Sequence, residues 1–288
     1  MTDAMRDDLV RALRQISDED RHVLGKLRKK GSAWIVGGWV RDSLMGMNAE
    51  DMDIATTLTP KEIESIFPKS IMVGASFGTV IVRIEGEENT SEWQVTTLRS
   101  EEDYIDGRRP EKVSFLEVGE DDKGIIEDLS RRDFTINSMA IGIDEVLIDP
   151  YGGLDDLSMG TLRTVGSADK RFDEDGLRVL RAFRFLDAGD AGVRKMDESL
   201  ERGIIRAEGF LSGVSRERVG VEISKIFSGG NVHQIALKMA SLGVFDQVFE
   251  DHDVDIPPQL SSNHLVNLAL IFRNEDISSE SLSDMLRE

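Results

Sequence analysis

The apolar pattern of the chain changes between residues 150 and 170, and this change limits the possible folds more than any other feature of the sequence. Before residue 150, short apolar segments of strand type alternate with amphipathic segments of helical type. After residue 168, every segment with a regular pattern is of helical type. We therefore predict an α+β chain, in which a mixed sheet with helices is followed by an all-helical part.

Local signals predict individual elements in the first half. Residues 59–67 begin with the Thr-Pro pair typical of a helix start, and two strands are predicted on either side of a turn at 86–91. The polar residues 102–113 predict a mobile loop, and the stretch that follows is predicted to be rich in strands up to residue 150. Residues 149–160 are predicted to be a turn-rich connector.

The overall composition excludes several classes of protein. The formal net charge of −20 opposes sequence-independent binding of nucleic acid over the whole surface, because phosphates need basic partners. No long uncharged apolar run and no secretory signal is present, so we expect no membrane association. The absence of cysteine agrees with a cytoplasmic location. Arginine outnumbers lysine 24 to 11, which suits local bidentate contacts with phosphates.

Glycines, an arginine and two aspartates lie close together in the segment VGGWVRDSLMGMNAEDMDIAT. Asp51 and Asp53 are two residues apart, so on a strand both carboxylates face the same side. Such carboxylates suit Mg²⁺, and two such ions can activate an attacking hydroxyl and stabilise a leaving pyrophosphate. A solvated acidic turn is the alternative. Gly37 and Gly38, between a strand and a helix, leave backbone N–H groups open to a phosphate, and Arg41 follows one turn later. The combination indicates a site for a nucleoside triphosphate with a metal ion.

A second group of polar residues has helical spacing within residues 174–184. Its members recur every three positions and form one stripe if the segment is a single helix: Asp175, Arg178, Arg181 and Arg184. An ordinary amphipathic helix with a basic face would show the same spacing. In the alternative interpretation, the Asp carboxylate and an Arg guanidinium together recognise the edge of a base.

Five segments occur together in the order and spacing of one protein family. They are GGWVRDSLMG with DMDIAT, VTTLRSEEDYIDGRRP, RRDFTINSMA, EDGLRVLRAFRF and VSRERVGVEISKIF. These segments resemble the motifs of class II tRNA nucleotidyltransferases, which are the CCA-adding enzymes and their bacterial poly(A) polymerase relatives. The resemblance covers residues 30–245.

The resemblance implies an organisation and a reaction. It implies a nucleotidyltransferase head at residues 1–150, a helical neck with the base-reading helix at 151–220, and a partial helical body at 221–288 without the tail. The 3′ hydroxyl of a bound tRNA would attack the α-phosphate of CTP or ATP and release pyrophosphate without a nucleic-acid template. The tRNA 3′ end, CTP and ATP are the expected partners, and Mg²⁺ is the expected cofactor. The oligomeric state is not predicted.

The resemblance also implies residue roles. Asp51 and Asp53 would be the catalytic residues and the metal ligands. The implied nucleotide-binding residues are Gly37, Gly38, Arg41, Arg132, Asp133, Asn137, Glu174, Asp175, Arg178, Arg181 and Arg184.

Within this set, the resemblance implies different roles for different residues. Asp133 and Asn137 would support the ribose side of the pocket. Asp175 and Arg178 would pair with the base as a protein template, and Glu174 would position them.

The sequence departs from the family pattern at two points. Gln94 stands where the family usually has a glutamate, and a neutral amide cannot bind metal or accept a proton as a carboxylate does. Glu92 lies two residues away on the same face of a strand and could replace it. Family members are also usually longer, so part of the body and the tail is expected to be absent.

Several alternatives stay open. Residues 101–110 would be the flexible loop that switches C to A addition, which argues against an enzyme that adds only C. Residues 73–82 favour a CCA-adding enzyme over a poly(A) polymerase, while an A-adding enzyme would keep the loop. A protein that binds RNA or nucleotide without catalysis is the alternative from another class. We also predict a basic groove on the otherwise acidic surface, lined by Arg132, Arg178, Arg181, Arg184, Arg216 and Arg218.

Overall fold

The computed structural model describes residues 3–49, 51–73, 78–85, 90–104, 110–115, 123–142, 144–207, 209–249, 252–261 and 263–274. The chain divides into two compact units. The first covers residues up to Asp103 and from Glu111 to Leu157, and the second covers the residues from Ser158 onward together with Tyr104 and Pro110. Within the described residues, no helix combines the length and the apolar character that crossing a membrane requires.

The part of the chain up to residue 158 is mixed α/β. Its helices are α1 (Asp3–Leu13), α2 (Asp18–Arg28), α3 (Gly38–Leu44), α4 (Pro60–Ile66), α5 (Lys123–Ser130) and α6 (Gly153–Ser158). Its strands are β1 (Ala33–Val36), β2 (Asp53–Thr56), β3 (Ile71–Met72), β4 (Thr79–Glu85), β5 (Thr90–Thr97), β6 (Arg99–Tyr104), β7 (Pro110–Phe115), β8 (Ala140–Ile141) and β9 (Leu147–Ile148). Seven strands form one sheet in the order β3-β4-β5-β2-β1-β8-β9, while β6 and β7 pair separately.

Strand β1 runs through the middle of the main sheet and is buried on both faces. Ile35 packs on one face with Leu24 of α2, whereas Val36 packs on the other face with Leu129 of α5. Strand β2 is antiparallel to β1 on one side and parallel to β5 on the other. Because β1 and β2 are fixed on both sides, the turn that follows Val36 is held rigidly.

The second unit is almost entirely helical. Its elements are β10 (Thr161–Leu162), α7 (Ala168–Glu174), α8 (Leu177–Leu186), β11 (Lys195–Met196), α9 (Glu198–Arg206), α10 (Arg216–Phe227), α11 (Val232–Ser241), α12 (Val244–Val248) and α13 (His264–Ile271). Helices α8 and α10 pack against each other, and Phe183 and Phe227 are fully buried. The short strands β10 and β11 pair in parallel. The expectation that only helices follow residue 168 is therefore wrong at Lys195–Met196.

The α+β prediction is confirmed, and so are several of its elements. Thr59 caps α4 in a capping box with Glu62, which satisfies backbone N–H groups at the start of the helix. Strands β4 and β5 pair on either side of the predicted turn. The predicted loop at 102–113 is wrong where β6 and β7 lie, and residues 105–109 are outside the described residues.

Two helices lie in segments for which the sequence predicted other structure. Helix α5 lies where strands were expected, because Ile125 and Leu129 form a helical i, i+4 stripe on the sheet. Helix α6 lies in the predicted connector. The carboxylate of Asp149 accepts hydrogen bonds from the N–H groups of Gly153 and Leu154, at 2.7 and 2.9 Å, and so caps this helix.

Candidate active site

The turn between β1 and α3 is a single glycine with a positive φ. Gly37 has φ 74°, a value that glycine adopts without strain. A Cβ atom on Gly37 would lie 3.1 Å from Nη1 of Arg132 and 3.5 Å from Oδ2 of Asp53. Asp53 and Arg132, which are far apart in sequence, therefore converge on this turn. A larger residue at position 37 would press against both of them.

The two aspartates are placed differently. Asp53 is the first residue of β2 and lies opposite Val36, whereas the exposed Asp51 precedes the strand. The strand predicted from Asp51 onward therefore begins two residues later, and the expectation that both carboxylates face the same side stays a prediction. Burial raises the pKa of the Asp53 carboxyl; the Arg132 guanidinium opposes this rise, and the Asp51 carboxylate adds to it.

This pair of carboxylates fits a divalent cation whose remaining ligands come from water and from the substrate. Mg²⁺ is commonly bound by one or two carboxylates together with water and substrate phosphates. A cation beside Asp53 would also offset the burial and the like-charge repulsion that raise its pKa. Among the described residues, no group of three or more His, Asp or Glu side chains could hold a metal ion by itself.

Gln94 lies next to Asp53 in the sheet. In the parallel pairing of β2 with β5, Gln94 is the register partner of Asp53, so the two side chains share a face. Glu92 lies two residues earlier on β5, and its carboxylate forms a 2.6 Å ion pair with Arg83. The position beside Asp53 thus carries an amide, and the replacement of a missing carboxylate by Glu92 stays a prediction.

Arg41, Asn137 and Asp133 form a chain of hydrogen bonds. Arg41 donates from Nη1 to Oδ1 of Asn137 at 2.6 Å, and Asn137 donates from Nδ2 to Oδ1 of Asp133 at 3.2 Å. Arg41 also donates to both carboxylate oxygens of Asp42, at 2.7 and 2.8 Å. Three residues predicted from two separate motifs are therefore brought together. Asp42, which orients Arg41, was missed because it is one ordinary acidic residue inside a helix.

Arg132 is oriented by a buried carboxylate that sequence reasoning also missed. Asp128 of α5 is 1% exposed and forms ion pairs with Arg131 at 2.6 Å and Arg132 at 3.2 Å. Burial opposes ionisation of Asp128, yet the two guanidinium groups hold its pKa below the usual value. The i, i+3 and i, i+4 spacing of Asp128 to the arginine pair could have revealed it.

The stripe predicted on one helix is interrupted after its first member, Asp175, and its three arginines lie on α8. Glu174 ends α7, Asp175 has an extended backbone, and α8 begins at Leu177. The prediction of a single helix over 174–184 is therefore wrong. The break has a tertiary cause, because a Cβ atom on Gly176 would lie 1.6 Å from the carbonyl oxygen of Phe210. Only glycine fits there, and the chain turns at that point.

The residues around this break are held by ion pairs. Arg178 forms an ion pair with Glu174 and donates a 3.1 Å hydrogen bond to the carbonyl oxygen of Arg171. Asp175 accepts a hydrogen bond from Arg218 at 2.6 Å. The structure thus brings Glu174, Asp175 and Arg178 to one place in the second unit, with Arg218 of α10 as an additional partner.

Arg181 and Arg184 lie further along α8. Arg184 donates to both carboxylate oxygens of Glu222, at 2.8 and 2.9 Å, while Arg181 lies 3.9 Å from the same carboxylate. Glu222 is 5% exposed, and the Arg184 guanidinium lies 4.3 Å from the ring centre of Phe185. Glu222 of α10 therefore holds both arginines in place. Their contact with a nucleotide stays a prediction.

Known proteins resemble the chain in sequence and fold. Residues 33–163 match the family described as the poly(A) polymerase head domain, and residues 195–256 match the probable RNA and SrmB-binding site of polymerase A. A CCA-adding enzyme of Bacillus licheniformis is 40% identical over 227 residues, which are 78% of this chain and 54% of the relative. The chain spans about half the length of the curated relatives that it matches first.

Solved structures agree with this relationship. The crystal structure of a Bacillus stearothermophilus CCA-adding enzyme in complex with CTP matches with a TM-score of 0.67 at 32% identity, over 85% of this chain and 53% of that one. A Thermotoga maritima CCA-adding enzyme complexed with tRNA shares the fold, with a TM-score of 0.72 at 24% identity, over 99% and 69% of the two chains. The chain belongs to the family of class II tRNA nucleotidyltransferases and bacterial poly(A) polymerases.

Proposed function

We propose that the protein is a CCA-adding tRNA nucleotidyltransferase, which adds C, C and A to the 3′ end of tRNA from CTP and ATP. The observation that carries this proposal is the convergence of Asp53 and Arg132 on the Gly37 turn in a family head domain. A carboxylate for metal, a guanidinium for phosphate and an open backbone turn are the groups that a nucleoside triphosphate requires.

The reaction requires the 3′ hydroxyl of the tRNA to attack the α-phosphorus of the bound nucleotide. A new phosphodiester bond forms, the bond between the α- and β-phosphates breaks, and pyrophosphate leaves. Two Mg²⁺ ions held by Asp51 and Asp53 would activate the hydroxyl and neutralise the charge on the leaving group. Arg132 and Arg41 would hold the phosphates, and the Arg41–Asn137–Asp133 chain keeps Arg41 in one orientation.

The second unit would choose the base. Asp175 offers a carboxylate acceptor and Arg178 offers guanidinium donors, and their partners Arg218 and Glu174 fix both side chains. These groups complement the donor and acceptor positions of a cytosine or an adenine edge. The B. stearothermophilus enzyme was solved with CTP, which supports CTP as a substrate of this chain.

The test uses three tRNA transcripts, which end before CCA, after the first C and after CC. Each is incubated with Mg²⁺ and labelled CTP, ATP or both, and the products are sized on a gel. We expect each transcript to be completed to CCA and then to stop. The matched control is Asp53→Asn, which keeps the size of the side chain and removes its charge; it should give no product.

Other outcomes identify the alternatives. Addition of A to the CC-ending transcript alone would make the protein an A-adding enzyme, and a long A ladder would make it a poly(A) polymerase. RNA or nucleotide binding without any product, in a preparation that is folded, would favour the non-enzymatic alternative that Gln94 motivates.

A further inference from the structure

A cavity lies in the first unit on the face of the sheet opposite to Asp53. It has a volume of about 470 Å³, is open to solvent on one side, and is lined by residues of α2, β1 and the β8–β9 hairpin. Leu24, Ile35 and Ile141 lie beneath its floor and are at most 3% exposed. Ile35 and Val36 point to opposite faces of β1, and Val36 is the register partner of Asp53. The cavity is therefore separate from the candidate active site, and its volume is typical of small-molecule sites.

Basic residues follow one face of α2 along the mouth of this cavity. Arg21, Arg28 and Lys29 all line it, and the spacing of seven and eight residues places them on the same side of the helix. Arg28 donates a 3.1 Å hydrogen bond to the carbonyl oxygen of Ala33 and forms no ion pair with the described residues. Burial lowers the pKa of its guanidinium, with Asp144 and Glu145 opposing, so an additional anion would stabilise the charge.

Gly25 opens a notch between the two arginines. It lies inside α2, where glycine is less favourable than alanine. A Cβ atom on Gly25 would meet no atom within 4 Å, so packing within the chain does not require a glycine at this position. Because Gly25 also lines the cavity, the missing side chain leaves room for a ligand to approach the helix backbone.

Glu145 is the only acidic side chain among the described residues that line the cavity. It has φ 61°, a left-handed conformation that is uncommon for a residue with a side chain. Its carboxylate lies 3.4 Å from Nη1 of Arg21 and neutralises part of that charge. Asp144 is a second carboxylate that acts on Arg28, so three cations against two carboxylates leave the mouth of the cavity positive, in a protein whose net charge is −20.

We propose that this cavity binds a small organic anion. Its phosphate, sulfonate or carboxylate group would bind Arg28 and Lys29, and its apolar or aromatic body would lie in the notch at Gly25, above the covered side chains of Leu24, Ile35 and Ile141. This chemistry follows from an open notch over an apolar floor, with guanidinium and ammonium groups at the mouth. The proposal does not depend on the activity proposed above.

The test is a fluorescence titration of the whole chain with 8-anilinonaphthalene-1-sulfonate, an aromatic anion of this class. We expect saturable binding that weakens about tenfold or more in Arg28→Gln, because a charge-assisted contact is lost. Glu145→Asn should tighten binding, since it removes the one carboxylate that lines the cavity and suits the left-handed backbone. Lys30→Gln is the matched control, because Lys30 is exposed, loses the same charge and does not line the cavity.

Two further measurements locate the ligand. Gly25→Leu should fill the notch and abolish binding in protein that retains its helical circular dichroism. In amide NMR spectra of the wild type, the signals of Gly25 and Gly142, which both line the cavity, should shift on titration. Phenyl phosphate and benzoate should compete with the probe, and phenol should not; the stronger competitor distinguishes a phosphate ligand from a carboxylate one.

The opposite directions expected for Arg28→Gln and Glu145→Asn keep the proposal falsifiable even if Gly25→Leu does not fold. Equal affinity in Arg28→Gln, Glu145→Asn and Lys30→Gln would show that the probe binds elsewhere and would overturn the proposal. Absence of saturable binding to the wild type would also overturn it.

Discussion

At the scale of single residues, the candidate active site depends on charges that the fold holds in place. Burial raises the pKa of the partly buried Asp53, so its ionised form is less favourable in the folded protein without metal than in the unfolded chain. Asp128 has the opposite behaviour, because two guanidinium groups keep it ionised. The Asp53 carboxylate therefore lowers the stability of the folded protein at a position where it can bind metal. The Asp128 carboxylate instead stabilises the Arg131 and Arg132 guanidinium groups beside it.

We expect Asp53→Asn to raise the melting temperature in EDTA at neutral pH while reducing activity at least about 10²–10³-fold. A carboxyl with a raised folded-state pKa lowers stability progressively as pH rises from its unfolded-state pKa through its folded-state pKa, and the loss is absent below the unfolded-state value. The difference in melting temperature between the variant and the wild type should therefore shrink as pH falls. A difference that grows toward acid pH would contradict this account of Asp53.

Asp128→Asn should lower the free energy of unfolding by about 3–5 kcal/mol at neutral pH, because two partly buried guanidinium groups lose their carboxylate. Since the pKa of Asp128 is lowered, its contribution is present at neutral pH and is lost as pH falls through its folded-state pKa. Urea unfolding of both proteins at neutral and acid pH measures the effect. An equal difference at both pH values would be inconsistent with it.

Gln94→Glu should raise the affinity of the protein for Mg²⁺, since it places a carboxylate beside Asp53. We expect the apparent affinity for Mg²⁺ in the nucleotide-addition assay to rise about tenfold or more. Glu92→Gln is the matched control, because it removes a nearby carboxylate that is paired with Arg83. If Glu92→Gln lowered the apparent affinity for Mg²⁺, Glu92 would be the carboxylate that replaces the glutamate expected at position 94.

At the scale of elements, the sequence predicted those parts that depend on local signals. The cap at Thr59 and the alternating pattern of β4 and β5 are local, and both are confirmed. The break before α8 is not local, because it results from contact between Gly176 and the backbone of Phe210, 34 positions later. The convergence of Arg41 with Asn137 also depends on tertiary packing, so motif order alone could not predict their hydrogen bond.

Gly176→Ala should destabilise the protein by about 3 kcal/mol or more, since its Cβ atom would overlap a backbone carbonyl that cannot rotate away. Gly230→Ala is the control, because no atom lies within 4 Å of its Cβ position and its φ is not positive. Thermal unfolding of both variants measures the difference. Equal melting temperatures would mean that the α7–α8 junction is not fixed by this contact.

At the scale of the whole molecule, the positive charges of the predicted groove are largely balanced by carboxylates. In the second unit, Arg178, Arg184 and Arg218 are paired with Glu174, Glu222 and Asp175, respectively. Arg216 is exposed and forms no ion pair with the described residues. An acidic protein can therefore contact RNA through a few uncompensated arginines, and the basic groove itself stays a prediction.

We expect tRNA binding to weaken as salt rises, with a slope that depends on such arginines. Arg216→Gln should reduce the slope of log affinity against log salt by about 0.7–0.9, the value for one lost phosphate contact. Arg184→Gln should change the slope less, because Glu222 already neutralises Arg184. Filter binding at several salt concentrations measures both slopes. A salt-independent affinity would exclude phosphate contacts as the source of binding.

The most direct test of the central claim is the sequence of the product made when all four nucleoside triphosphates are present. A tRNA transcript that lacks CCA is incubated with the protein and Mg²⁺, and its 3′ ends are sequenced. If the protein chooses the base without a nucleic-acid template, the added sequence should be C, C, A and nothing further. Addition of A alone, a mixed sequence or no addition by folded protein would contradict the account.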